Sequence, residues 1–298
     1  MSRSGKPSPF LYLFVSAVVC ALLGVAGPAF TQPSQQEQDS PLRKALNEAK
    51  WVRGPSTAPL EKTAEIRLPE NYVAANGDDT RRIMEGMHNL PSGMEVGMVF
   101  PGGLDWFVVF EYDEMGYVKD DEKQSLDANA MLESIRRGTE EGNKERAKRG
   151  WPAMRIVGWE QPPRYDDQTH NLTWAIRGES QGGQVVNYNT RLLGRKGVMR
   201  VTLVTDPERL PTVLPDFRSL ISGYSFVKGS RYAEWVPGDK VAQIGLTALV
   251  TGGAAAVAVK SGLLKYLWKI LLVGGAAVLV LLGKIRKLFA RNTVKPNE

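Results

Sequence analysis

NLTWAIRGESQGGQVVNYNTRLLGRKGVMRVTLVT, residues 171–205, holds three extended runs separated by glycine turns. Residues 171–177, 185–193 and 197–205 are rich in β-branched and aromatic side chains, which fit a pleated surface. Gly182-Gly183 and Gly194-Arg195-Lys196-Gly197 supply the reversals, so the stretch reads as an antiparallel meander. Strand side chains alternate. In the middle strand Val186, Tyr188, Thr190 and Leu192 share one face, while Asn187, Asn189 and Arg191 share the other. Depending on register, Arg177 and Arg200 join the polar face from the neighbouring strands. Guanidinium groups beside two amides suit a carboxylate or phosphate held by forked hydrogen bonds. The plainer reading is a solvated sheet face.

Working outward, residues 63–68 and 94–100 are candidate strands. Residues 105–112 are a stronger one, because Trp106, Phe107, Val108, Val109 and Phe110 are apolar on both faces, as a central strand requires. A short helix with Leu42, Ala45 and Ala49 at helical spacing fits residues 41–51, with Ser40 as its cap. A longer one starts after Asp127, with Ala128, Met131, Leu132 and Ile135 on one face, and stops at Gly150 before Pro152. Residues 207–222 form a last helix despite Pro211 and Pro215, burying Leu214, Phe217, Leu220 and Ile221. The order predicts an α+β fold, with one antiparallel sheet covered by helices.

The ends differ from the body. Residues 32–239 carry 27 Lys+Arg against 31 Asp+Glu, net −4, whereas the remaining residues carry 11 basic residues and one acid, net +10. The overall +6 therefore belongs to the ends, which argues against nucleic acid as a partner. Residues 10–25 are apolar behind Arg3 and Lys6, as in an export signal. The single cysteine, Cys20, lies in that run, so the body holds neither disulfide nor thiol nucleophile. Near the other end, residues 270–283 are apolar and extend back to a full span at 263–283, with Tyr266 and Trp268 as interfacial anchors. The expected organisation is a signal peptide or N-terminal anchor at 1–31 and a polar linker with a short helix at 32–50. An exported domain at 51–238 and a small-residue helix at 239–262 follow, then a transmembrane helix at 263–283 and a basic cytoplasmic tail at 284–298. Ala248, Gly252 and Ala256 recur every fourth residue, the spacing that lets helices approach closely, so self-association through that helix is expected.

A second constellation lies in the loop Tyr165-Asp166-Asp167-Gln168-Thr169-His170, behind Pro162-Pro163. Asp166, Asp167 and His170 would suit acid–base work by an envelope hydrolase, although acidic loops before strands are commonly turn formers. A metal site needs further ligands, and His88 could reach it only through the fold. Neither a metal nor any other cofactor is expected. Asp120-Asp121-Glu122 lacks the alternating ligands of a calcium loop and reads as a solvated turn. Ser125, Ser134 and Ser219 sit in no nucleophile elbow.

Several ordered blocks resemble the bacterial membrane-anchored family known as domain of unknown function 2167. They are Gly116-Tyr117-Val118-Lys119-Asp120-Asp121, Asn143-Lys144-Glu145-Arg146, Gly158-Trp159, Pro163-Arg164-Tyr165-Asp166 and His170-Asn171-Leu172-Thr173-Trp174-Ala175, followed by residues 186–195 and Asp239-Lys240-Val241-Ala242. The resemblance spans residues 51–262. It implies a bacterial envelope protein with a C-terminal membrane segment, and brings no established activity or catalytic residues. The element order also looks like the Mog1/PsbP-type fold. The expectation is therefore a member of an uncharacterised family at the bacterial inner membrane, its main domain periplasmic, which binds an envelope protein partner or a small anionic ligand without catalysis. Membership of a membrane complex is a further alternative, and the lipid bilayer is the partner common to all these readings.

Overall fold

The structure, a computed structural model, describes residues 41–251. Helix α1 (Pro41–Glu48) leads into four short strands, β1 (Val52–Arg53), β2 (Ser56–Leu60), β3 (Ala64–Leu68) and β4 (Tyr72–Asn76). Helix α2 (Gly77–Gly86) begins at Asn76, whose side-chain oxygen accepts the Asp79 N–H. Strands β5 (Glu95–Pro101) and β6 (Phe107–Asp113) follow, then the long helix α3 (Ala128–Lys148). Asp127 caps α3 by accepting the N–H groups of Asn129 and Ala130. The expected meander comprises β8 (Asn171–Ser180), β9 (Gly183–Leu193) and β10 (Val198–Thr205), with β7 (Arg155–Asp166) before it. A 3₁₀ turn (Pro207–Arg209), α4 (Leu210–Ser222), β11 (Tyr224–Phe226), a second 3₁₀ turn (Tyr232–Glu234) and α5 (Leu246–Thr251) complete the described chain.

Eight strands form one antiparallel sheet in the order β1-β4-β5-β6-β10-β9-β8-β7, and β11-β3-β2 form a second, three-stranded sheet. The sequence reading of a single sheet is corrected by this second one. It also took Pro162-Pro163 as loop, whereas β7 runs through them as an edge strand, where a missing N–H can face away from the ladder. Strand β10 is buried along its whole length and β6 over its first five residues, in keeping with their central positions.

The large sheet is covered on both faces. On one, Val108, Phe110, Val201, Leu203 and Tyr188 pack against Ile66 and Leu68 of the small sheet and against Val213, Phe217 and Leu220 of α4. The opposite face carries two separate apolar clusters. Met98, Phe100, Phe107 and Val109 meet Leu42, Ala45, Ile83 and Met84 of α1 and α2. Leu172, Trp174 and Ile176 meet Met131 and Ile135 of α3, together with Leu246, Leu249 and Val250 at the C-terminal end. Among the described residues no helix is long and apolar enough to cross a membrane. The expected signal (1–31), the span (263–283), and Gly252 and Ala256 of the small-residue stripe lie outside the described residues, while Ala248 lies within α5.

Candidate functional site

A band of charge crosses the large sheet between its two apolar clusters. Register aligns Glu95 of β5 with Glu111 of β6, Glu111 with Arg200 of β10, and Arg200 with Arg191 of β9. All four residues are at most 5% exposed. Ions taken out of water need partners of opposite charge or hydrogen bonds, because desolvation otherwise outweighs what the site gains. The row supplies them in order: two acids, then two bases. Arg200 donates to Asp113 through Nη2. Glu95 accepts the backbone N–H groups of Ser92 and Gly93.

Ser92 joins the two glutamates. Its Oγ lies 3.0 Å from Glu95 Oε1 and 2.5 Å from Glu111 Oε1, and it also accepts the Met94 N–H. One hydroxyl carries one proton, so the two carboxylates share it. Burial raises the Glu111 pKa, opposed by Arg200, the Ser92 hydrogen bond and Arg191, with Glu95 adding to the rise. Ser92 Oγ thus donates toward both carboxylates and ties β5 to β6 at the acidic end of the row.

The other end of the row opens on a small cavity. Arg191 Nη1 donates to the Thr190 carbonyl at 3.3 Å, its guanidinium lies 4.5 Å over the Trp174 ring, and Nε has no protein partner. Burial and the facing Arg200 lower its pKa to about 9, with Glu111 and Asp113 countering them. Asn187, Asn189, Arg191, Trp174, Ile176 and the α3 residue Ile135 are among the walls of a cavity of about 30 Å³. That space takes one or two waters, or a monatomic anion, and excludes a phosphorylated metabolite.

The polar face drawn from the sequence is therefore real for Asn187, Asn189, Arg191 and Arg200, which share one side of the sheet. Two parts of the expectation are corrected. Arg191 and Arg200 are buried and Asn187 and Asn189 half-buried near α3, rather than solvated, a position that the β9 sequence alone could not reveal. Arg177 pairs in register with Val186, which puts it on the opposite face, where it forms an ion pair with Glu160 at 2.6 Å. Glu95, Glu111 and Ser92 were missed; the signal available was an acid at the end of each of two apolar strands.

The expected acid–base trio does not assemble. Asp166 Oδ1 is taken up by the N–H groups of Gln168 and Thr169 in the β7–β8 turn, which lowers its pKa. Asp167 is exposed and pairs with Lys123 at 2.5 Å. His170 Nδ1 lies 3.2 Å from the Tyr165 hydroxyl, which donates to Asp120 at 3.0 Å. Asp120, read as part of a solvated turn, is thus the acid linked to His170. His88 stacks on Trp151 beside the start of β7, at the other end of that strand from His170.

These features define an α+β domain whose central sheet buries a charged row between two apolar clusters. The family model described as "Protein of unknown function (DUF2167)" matches residues 52–283, and the chain belongs to that family. A comparison with curated proteins gives no match. Among solved structures, the chain is similar to the solution structure of cyanobacterial PsbP (CyanoP) from Synechocystis sp. PCC 6803. That similarity is at 12% identity and a TM-score of 0.35, over 59% of this chain and 91% of that chain. A likeness of that size carries nothing about ligand or partner.

Proposed function

We propose that this is a membrane-anchored envelope protein whose exported domain works by binding rather than catalysis, and that its recognition element is the buried face around Arg191. The observation that carries the reading is a buried guanidinium whose Nε lacks a protein partner and which opens, beside Asn187 and Asn189, on a water-sized cavity. Such a group favours a small monovalent anion, or a single carboxylate group, over a polyanion. The hydrolase reading on Asp166, Asp167 and His170 loses its support, because both acids are already engaged elsewhere. Calorimetric titration of the full chain in detergent, in chloride-free buffer, with bromide and with formate tests the site. Saturable binding that disappears in Arg191→Ala, with circular dichroism unchanged, is expected. No saturable binding of either anion to the native chain overturns it.

The location is part of the same proposal: inner membrane, domain on the periplasmic side, basic tail cytoplasmic. It rests on the charge-poor run at 263–283 followed by Lys284, Arg286 and Lys287. A reporter fused after Glu298 is expected to be active only in the cytoplasm; activity outside overturns the topology.

A further inference from the structure

Beyond β11 the chain wraps one end of the large sheet, the end formed by the β9–β10 turn. Arg231 bridges Gly194, Tyr117 bridges Val241, and Arg195 holds Asp239 through two hydrogen bonds of 2.7 and 2.9 Å. Gly116 makes the Tyr117 contact feasible. Its φ is +105°, and a Cβ there would stand 2.7 Å from the Lys240 carbonyl oxygen. The chain then packs Leu246, Leu249 and Val250 beside Val118 and α3, and the described residues end at Thr251. The wrapping segment is therefore fixed to the domain immediately before the residues read as a membrane span.

The surface of this segment is unusual in two respects. Among the described residues, the large apolar side chains left exposed are Val227, Val236 and Val241, at 36%, 46% and 38%, and all three lie on it. Half-buried Tyr117, Tyr232 and Trp235 stack together beside them, with ring centres 4.5 and 5.3 Å apart. Exposed Lys119, Lys196, Lys228 and Lys240 belong to the same segment and the two stretches it packs on. Its own acids are engaged: Asp239 by Arg195, and Glu234 by the N–H groups of Gly229 and Arg231. Valine, aromatic rings and exposed lysines suit the boundary where lipid headgroups meet water, and the lysines favour anionic lipid.

We propose that this end of the domain, centred on Val236 and Val241, docks on the headgroup surface of an anionic bilayer and fixes the domain's orientation. The proposal rests on the C-terminal anchor reading, so two measurements separate them. Full-length chain in a Cys20→Ser background carries a nitroxide at Val236→Cys, Val241→Cys or, as a control at the opposite end of β9, Gln184→Cys. It is placed in nanodiscs with about one third phosphatidylglycerol in phosphatidylcholine. Labels at 236 and 241 are expected to be accessible to oxygen and shielded from a water-soluble nickel chelate, with the 184 label fully aqueous. Lys196→Glu with Lys240→Glu is expected to return both labels to water while the chain stays in alkali-washed membranes. Labels at 236 and 241 as aqueous as 184, in a chain that survives the wash, overturn the docking and leave the anchor standing. Loss of the chain in the wash overturns the anchor; docking then stands only if the chain sediments with phosphatidylglycerol vesicles and not with phosphatidylcholine alone. Labels that are aqueous at one chain per disc and immobilised at higher occupancy identify a second copy as the occupant, and overturn the lipid assignment.

Discussion

Glu95 and Glu111 occupy equivalent positions on adjacent strands, yet their surroundings differ. Glu95 accepts two backbone N–H groups, whereas Glu111 accepts from the Ser92 hydroxyl and lies opposite Arg200. Glu111→Gln keeps an oxygen that accepts from Ser92 and is expected to be tolerated. Glu95→Gln loses an acceptor and is expected to destabilise by about 1–3 kcal/mol, the usual penalty for unsatisfied buried groups; chemical denaturation compares the two. The pH dependence has a definite sign. A carboxyl whose folded pKa is raised binds protons better when folded, so its contribution is full below the unfolded value near 4.5 and is lost as pH rises through the folded value. The stability difference between wild type and Glu111→Gln should therefore fall as pH rises above about 4.5; a difference that stays flat counts against a raised Glu111 pKa. Arg200→Ala strands Glu111 and Asp113, and is expected to cost about 3–5 kcal/mol, as breaking buried pairs does. From sequence, Arg191 and Arg200 were legible as a coplanar pair by alternation alone. That they are buried was not, because the covering helix ends 35 positions upstream of β9.

Helix α3 is the element that turns a polar sheet face into a closed site. Its cap, its apolar stripe and its stop at Gly150 could all be read locally, and all are present, with Met131 and Ile135 seated on Trp174 and Leu172. Asp127→Ala removes the acceptor for two backbone N–H groups and should cost about 1 kcal/mol, measurable as a lower thermal midpoint. The cost should appear together with faster exchange of the β9 amides beneath the helix; unchanged exchange would separate the helix end from the site. Strand β7 escaped the sequence reading because Pro162 and Pro163 look like loop residues, and only its edge position makes them acceptable in a strand. The short strands β1, β2, β4 and β11 were missed for a related reason, whereas β3 was read at residues 63–68. Two to five residues are too few to display a period.

At the scale of the whole molecule, the C-terminal segment is latched to the sheet end by Arg195 and Asp239. The two hydrogen bonds from Arg195 hold the Asp239 pKa at about 2. A depressed carboxyl contributes stability above its unfolded value near 3.8, and loses that contribution as pH falls through about 2. Acidification in that window should loosen the segment in wild type. Asp239→Asn should remove this pH dependence, read by proteolysis at residues 227–242. The sequence by itself determined the α+β class, the meander, the partition of charge between body and ends, and the alternation that puts Asn187, Asn189 and Arg191 on one side. These follow from periodicity, turn chemistry and composition, which act over a few residues. Only the tertiary structure decided that the polar face is buried, that two glutamates complete it, that Arg177 faces away and that His170 answers to Asp120. Each of those depends on which distant strand or helix comes to lie alongside, and desolvation then decides what the charges must do.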